Sequence, residues 1–237
     1  MPPNGYMTSA YYYISTFFVI LSKKIIFASE FRISMTISLP KDEIIQQDIL
    51  QAASQLFQKY GLNKVTMDDI ARAVGKGRSS LYYYYKNREE IFDAVMIAFI
   101  QEISREISEA VRLASTLEEK LEGFCWVKLK TSKQRHSFFR ALESGMGAEE
   151  ISKHTTAMTA FHFQLMQQES VILKRAIEDA VKSGEITQKS KKEIDIHIFI
   201  LLSSIRGIKR EALLNDKFTE MKKTVATLCK MMVQNLK

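Results

Sequence analysis

The sequence predicts an all-α protein, and three features of the chain support this fold class. The three prolines, Pro2, Pro3 and Pro40, all lie near the amino terminus, so that no proline interrupts a helix in the rest of the 237 residues. Apolar residues recur three and four positions apart through most of the chain, which is the spacing of one helical face. Helix-start signals coincide with the positions where this spacing restarts.

Charge and cysteine content narrow the class of protein. The formal net charge of +7 favours an anionic partner, which is either nucleic acid or a membrane surface. The two cysteines, Cys125 and Cys229, each lie in an apolar helical pattern, which predicts reduced thiols in a cytoplasmic protein. No His-x-x-x-His or Cys-x-x-Cys pair occurs, so that we expect no metal site and no cofactor.

Residues 1–40 form an amino-terminal extension that we set apart from the folded domains. The apolar segment "AYYYISTFFVILSKKIIFAS" contains an uncharged run shorter than the roughly 20 residues that a spanning helix needs. A secretory signal is disfavoured because residues 1–10 carry no Lys or Arg. Three interpretations stay open: an upstream start included ahead of a natural start at Met35, a genuine arm packed on the body, or a membrane anchor formed by residues 10–28.

The first predicted helix of the folded part ends at Gly61, a residue that commonly terminates helices. Its apolar stripe runs from Ile45 to Tyr60 at helical spacing. A short helix follows Thr66, because Thr66-x-x-Asp69 is a variant of the capping box, and it ends at Gly75. A second short helix follows a tight glycine-containing turn, so that residues 45–86 predict a helix-turn-helix unit.

Long helices are predicted for the remainder of the chain. Capping boxes at Asn87-x-x-Glu90, Thr116-x-x-Glu119 and Ser190-x-x-Glu193 mark three of their starts. Residues 144–150 predict a loop. The predicted helices span 89–113, 117–132, 135–144, 151–183, 191–214 and 218–236.

The second short helix carries the candidate functional residues. Seven basic and two acidic residues lie between 59 and 88, which is the charge balance that phosphate binding requires. Arg78, Ser79 and Ser80 lie at the amino-terminal end of the helix, where a recognition helix meets base edges. Four tyrosines in a row, residues 82–85, cannot share one buried face of a helix. We expect Tyr85 to point inward with Leu81, and we expect Tyr82, Tyr83 and Tyr84 to point outward, where a phenol can bind phosphate.

The segment "KVTMDDIARAVGKGRSSLYYYYKNREEIF" resembles the DNA-binding domain of the TetR family of bacterial transcriptional regulators over about residues 45–95. The resemblance implies a double-stranded, palindromic DNA operator. It also implies phosphate contacts from Thr66, Tyr82, Tyr84, Lys86 and Arg88, and base or groove contacts from Met67, Arg78, Ser79 and Tyr83. Lys76 departs from the family pattern, which usually has an apolar residue there.

The same resemblance divides the chain into a helix-turn-helix domain at 41–88 and a ligand-binding and dimerisation domain at 89–237. The helix at 191–214 is apolar nearly all round, so that it is buried either against a second copy or within its own chain. The hypothesis of a homodimer assigns the interface to this helix and the last one. The interface residues are Ile198, Leu202, Ile205, Val225, Leu228 and Met232.

Large apolar residues on the middle helices line a candidate pocket for a small-molecule effector. They are Phe124, Cys125, Trp126, Phe139, Met158, Phe161, His162 and Met166. The alternative is that most of them simply fill the core, with His162 as a hydrogen-bonded core residue.

The sequence thus predicts a sequence-specific DNA-binding regulator, specifically a dimeric repressor released by an apolar or aromatic ligand. A second possibility is a membrane-tethered regulator that uses residues 10–28, although we expect no stable membrane association. A third is an enzyme based on the helical body. No nucleophile elbow, phosphate-binding glycine loop or zinc motif occurs in the chain, so that we expect no enzyme.

Overall fold

A computed structural model describes residues 41–143, 148–215, 218 and 220–237. The predicted extension at 1–40, including the apolar segment at 10–28, lies outside the described residues, as does the start of the predicted loop, 144–147. The chain divides into a short unit that ends at Ile44 and a main unit from Ile45 to Lys237.

The described residues form α-helices joined by short connections, with one 3-10 turn at Leu62–Lys64 and no strand, as predicted. The helices are α1 (Lys41–Tyr60), α2 (Met67–Ala73), α3 (Arg78–Tyr84), α4 (Arg88–Leu113), α5 (Leu117–Glu143), α6 (Ala148–Lys182), α7 (Lys191–Asn215) and α8 (Met221–Leu236).

The predicted helix starts are confirmed by side-chain caps. The Thr66 hydroxyl accepts a hydrogen bond from the Asp69 amide at 3.2 Å, while the Thr66 amide donates to the Asp69 carboxylate at 2.9 Å. The same reciprocal pair joins Thr116 with Glu119 and Ser190 with Glu193. At the start of α4, Asn87 accepts from the Glu90 amide at 2.8 Å. These bonds satisfy amides that have no partner inside the helix.

The predicted break between 132 and 135 is wrong, because α5 runs without interruption from Leu117 to Glu143. The polar run "TSKQRH" interrupts the apolar spacing, and that interruption suggested a break. However, it contains neither proline nor glycine, and the Thr131 hydroxyl bonds the Val127 carbonyl of the preceding turn at 2.8 Å. A change in which face is apolar does not by itself end a helix.

Two hydrophobic clusters hold the main unit together. The head cluster contains Ile49, Ala53, Phe57, Val65, Met67, Ile70, Ala71, Leu81, Ile91, Phe92, Val95, Met96, Phe138 and Leu142. The body cluster is built mainly from Ile103, Ile107, Leu117, Leu121, Phe124, Cys125, Leu129, Leu173, Ile177, Ile198, Leu201, Leu202, Ile205, Val225, Cys229, Met232 and Val233. Helices α4 and α5 contribute buried residues to both clusters. The proposed domain boundary at residue 88 therefore falls at the start of a helix that is common to both cores.

None of the described helices is long and apolar enough to cross a bilayer. The possible anchor at 10–28 lies outside the described residues.

Candidate nucleic-acid interface

The two short helices are held in place by burial in the head cluster. Ile70 on α2 and Leu81 on α3 are both completely buried, and Phe57 of α1 is buried with them. Gly75 lies between the two helices with a φ of 65°, a left-handed conformation that side chains other than glycine rarely adopt. The next amide, that of Lys76, closes the turn by donating to the Ala71 carbonyl at 2.9 Å. A helix of seven residues such as α3 needs this external support because it is too short to be stable alone.

Arg78, the first residue of α3, projects into solvent with 62% of its side chain exposed. Its guanidinium lies 3.3 Å from the Asp68 carboxylate and 3.2 Å from the Tyr82 hydroxyl. It also lies over the Tyr82 ring, 5.5 Å from the centroid. The hydrogen bond with Tyr82, followed by the charge of Asp68, raises the pKa of Arg78. These exposed partners orient a cation at the helix end that we predicted to face base edges.

The four tyrosines divide as their helical positions require. Tyr83 is 77% exposed and Tyr82 is 42% exposed, so both offer ring faces and hydroxyls to a partner. Tyr84 is partly buried against the head cluster, and its ring packs edge-on against Tyr83 with centroids 4.9 Å apart. Tyr85 also packs on that cluster, and burial raises the pKa of its phenol. The inward position of Tyr85 is therefore confirmed, while Tyr84 is less exposed than expected.

Two residues predicted to contact DNA, Met67 and Arg88, are instead packed against their own chain. Met67 is only 8% exposed and belongs to the head cluster, so that it is a core residue rather than a groove contact. Arg88 is half-buried, donates to the carbonyls of Asn63 and Val65 at 3.2 and 3.3 Å, and pairs with Glu89 at 2.7 Å. Its guanidinium therefore fastens the 3-10 turn to the start of α4, and it has less capacity for phosphate.

The other predicted contacts lie on the same exposed side or at its edges. Ser79 and Lys86 are exposed, and Ser80 is partly exposed. Thr66 is exposed, although its hydroxyl also caps α2, where its hydrogen bonds lower the pKa of Asp69. Lys76 was not assigned to the interface, yet it is exposed at the turn between α2 and α3. Its position between Gly75 and Gly77 was the sequence signal that could have predicted an exposed turn residue.

The candidate pocket residues divide between the two clusters and the surface. Phe124 and Cys125 are completely buried in the body cluster, and Met166 packs against it. Phe139, Met158 and Phe161 pack against the head cluster, whereas Trp126 is 44% exposed. His162 lies 3.4 Å from Arg206, and burial lowers its pKa. The eight side chains are therefore divided between two clusters and the surface, and the pocket stays a prediction.

The residues predicted for the dimer interface are largely covered by their own chain. Ile198, Leu202, Ile205, Val225 and Met232 are at most 6% exposed in the body cluster, and Leu228 packs against it. Five of the six side chains are therefore buried within their own chain, and Leu228 is partly buried. The exposed large apolar residues of the same two helices are Ile196, Phe199, Ile200 and Leu214 on α7 and Met231 on α8, with exposures of 47%, 64%, 45%, 70% and 62%.

Both cysteines are free and buried. A hydrogen bond with the Cys229 thiol raises the pKa of Cys125, and burial raises it further. No group of three or more His, Cys, Asp or Glu side chains suited to a metal ion occurs in the part of the chain that the structure covers.

Comparison with known proteins identifies the family. Residues 49–95 match the family described as bacterial regulatory proteins, tetR family. The HTH-type transcriptional regulator YhgD of Bacillus subtilis is 25% identical over 138 residues, which are 58% of this chain and 70% of that protein. The HTH-type transcriptional repressor KstR2 of Mycolicibacterium smegmatis is 27% identical over 92 residues, which are 39% of this chain and 45% of that repressor.

The fold also matches a solved structure. The transcriptional regulator FadR from Bacillus subtilis, solved in complex with stearoyl-CoA, aligns with a TM-score of 0.56 over 77% of this chain and 96% of that chain, at 16% identity. The proteins to which the chain is similar are named as regulators and not as enzymes, in agreement with the expectation from sequence. Residues 49–95 therefore form a DNA-binding domain of the TetR family type, and the chain is a DNA-binding transcriptional regulator.

Proposed function

We propose that the protein is a homodimeric repressor that binds a two-fold symmetric operator and is released by a small molecule. The observation that carries this proposal is the exposed surface of α3, where Arg78, Tyr82 and Tyr83 project together from a helix anchored by buried Leu81. In helix-turn-helix proteins the second helix lies in the major groove, and its amino-terminal residues contact bases. The basic residues around α3 supply the phosphate attraction.

Dimerisation would use the outward faces of α7 and α8. Ile196, Phe199 and Ile200 form an exposed apolar group on α7, which is the kind of surface that proteins cover with a partner. A second copy is the occupant that fits a two-fold operator, because a symmetric dimer presents the same surface twice. The dimer would then set the two recognition helices about 34–36 Å apart, one turn of DNA.

Release by a ligand would follow if the ligand binds better to a state with another separation of the recognition helices. The FadR structure holds stearoyl-CoA, which is consistent with an apolar ligand in the body of this chain. Cytoplasmic location is part of this proposal, since the operator would be chromosomal DNA.

The test is selection of binding sites from random DNA, followed by affinity measurements with variants of α3. Lys86→Ala and Tyr82→Ala should weaken binding to all sequences, because they remove phosphate contacts, and Lys86→Ala should also reduce the salt dependence. Arg78→Ala should cost about 1–3 kcal/mol at the selected site and broaden the selected sequences.

Arg105→Ala is the matched control, because Arg105 is an exposed arginine of α4 outside this surface. It should leave both affinity and selectivity unchanged. Selection that returns no two-fold symmetric site, or α3 variants that bind like the control, would refute the proposal.

A further inference from the structure

A cluster of charged side chains lies inside the body where α5, α6 and α7 meet. Lys128 of α5 is 9% exposed and Glu169 of α6 is completely buried, and the two form an ion pair. Arg206 and Lys209 of α7 are half-buried at the same place. The body cluster surrounds them, with the Lys128 ammonium 5.7 Å from the centroid of the Phe124 ring. Charges in such an apolar setting are costly unless they are balanced.

The charges of this cluster do not balance. One carboxylate, Glu169, faces the three cations Lys128, Arg206 and Lys209. Among the described residues, no other carboxylate forms an ion pair with Arg206 or Lys209. The site therefore carries an excess of positive charge, which an anion would neutralise.

Within the described residues, the hydrogen-bond partners of Arg206 are Ser203, Met166 and His162. Its guanidinium lies 2.9 Å from the Ser203 hydroxyl, 2.8 Å from the Met166 sulfur and 3.4 Å from His162 Nε2. A thioether sulfur and a hydroxyl are weak substitutes for the two oxygens of a carboxylate or phosphate, which a guanidinium binds in parallel. These contacts hold the group in one orientation and leave its capacity for an oxyanion unused.

The surroundings of Lys209 and of Glu169 also reflect the excess of positive charge. Burial lowers the pKa of Lys209, and the charge of Lys128 lowers it further, whereas Glu169 opposes the change. The second carboxylate oxygen of Glu169, Oε2, is buried and has no hydrogen-bond partner in the described part of the chain. An entering group with a hydroxyl proton, such as hydrogen phosphate, would satisfy that oxygen.

We propose that Arg206 and Lys209 bind an oxyanion, a carboxylate or a phosphate group, and that the effector of this regulator carries this group. Lys128 and Glu169 form the fixed wall of the site, and Ser203 and Met166 orient the guanidinium. The claim that this anion is the effector rests on the proposed function, whereas the claim that the site binds an anion does not. The apolar effector expected from sequence is thus more closely defined as an anionic amphiphile.

The test is calorimetric titration of the full chain with matched probes in the absence of DNA. Octanoate and octyl phosphate carry the anion on a short apolar chain, octanol lacks the charge, and acetate and inorganic phosphate lack the chain. We expect saturable binding of the two octyl anions, at least ten-fold weaker in Arg206→Met and in Lys209→Met. Octanol should not distinguish the variants. If acetate or phosphate binds as tightly as its octyl form, the ligand is the free ion and not an amphiphile.

Arg210→Met is the matched control, since Arg210 is exposed one residue along the same helix. It should bind the anions like the wild type. A second readout separates binding from folding: Lys209→Met should raise the melting temperature without ligand, because it removes a buried cation that repels its neighbours. A merely structural lysine would show the opposite change.

The proposal is overturned if no anion binds, or if Arg206→Met and Lys209→Met bind the octyl anions like the wild type. Operator binding is then measured with and without octyl anion. Unchanged operator affinity in the presence of bound anion overturns the role as effector. A wild type that binds no DNA at all refutes the proposed function instead and leaves the result of the anion titration standing.

Discussion

Two residues of α3 that are close in sequence differ sharply in burial. Leu81 is completely buried in the head cluster, whereas Tyr83, two positions later, is 77% exposed. Two successive steps of about 100° on a helix suffice to move a side chain from the core to the surface. We therefore expect stability and DNA binding to depend on different side chains of the same short helix.

Leu81→Ala should lower the free energy of unfolding by about 2–5 kcal/mol, because it leaves a cavity in a closed core. Tyr83→Ala should change that free energy by less than about 0.5 kcal/mol, since the ring is mostly in water. It should nevertheless weaken DNA binding. Urea denaturation and DNA titration of both variants check this pair. Equal stability of the two variants would contradict the assignment of Leu81 to the core.

His154 predicts how stability responds to pH. Its side chain is buried beside the Phe92 ring, 6.4 Å between centroids, and burial lowers its pKa below the usual value of 6.5 even though Glu143 acts in the other direction. The unfolded chain therefore binds a proton at a higher pH than the folded chain does. Stability present above about pH 6.5 should fall as the pH drops and should level off below the folded pKa.

Denaturation curves between pH 7.5 and 5 measure this effect. The decline should be shallower in His154→Gln, which has no group to titrate at that position. The lowered pKa of His162 should leave a residual decline of the same sign. An identical decline in the wild type and in His154→Gln would exclude His154 as a cause.

Sequence reasoning predicted which segment carries the proposed DNA-binding surface, but it could not tell which of its side chains are exposed. Arg78 and Tyr83 follow from their position at the start and on the outer side of α3. Met67 and Arg88 do not, because a methionine and an arginine at helix starts are compatible with either core or groove. Whether Arg88 reaches phosphate or the carbonyls of the 3-10 turn depends on a contact between segments that are distant in sequence.

Among the elements, α5 and α6 are joined by the buried pair of Lys128 and Glu169. Both side chains are buried in the body of the chain, so that removing Glu169 leaves the charge of Lys128 buried without a carboxylate. The sequence could not predict this pair, because the two residues lie 41 positions apart on different helices. Only the packing of the helices brings them together.

A double-mutant cycle tests the pair. Glu169→Leu should destabilise by about 3–5 kcal/mol, since it leaves Lys128 as a buried cation without a carboxylate. The double variant Lys128→Met with Glu169→Leu should recover part of that loss, because it also removes that buried cation. Calorimetric unfolding of the three variants gives the coupling energy. Additive losses would show that the two side chains do not depend on each other.

For the whole molecule, the proposed dimer depends on which faces of α7 and α8 are left exposed by their own chain. The sequence of α7 is apolar nearly all round, which predicts burial but does not identify the side that packs within the chain. The structure assigns Ile198, Leu202 and Ile205 to the body cluster and leaves Phe199 outside it. Helix existence was therefore predictable, whereas its rotation about its axis was not.

Phe199→Asp should separate the proposed dimer into monomers, because it places a charge in an apolar interface. Monomers should then bind the operator more weakly, since each carries one recognition helix. Leu113→Asp is the matched control, because Leu113 is 68% exposed on α4, a helix that is not part of the proposed interface. Sedimentation and DNA titration measure both effects. A wild type that sediments as a monomer at micromolar concentration would rule out the dimer.

The unbroken course of α5 has a mechanical consequence. With 27 residues the helix is about 40 Å long at about 1.5 Å per residue. Phe124 lies near one end in the body cluster, and Leu142 lies near the other in the head cluster. A tilt of about 5° around one end of such a helix would move its other end by about 3.5 Å, roughly the rise of two helical residues. Because α5 is continuous, any tilt at its body end would be transmitted to the head cluster.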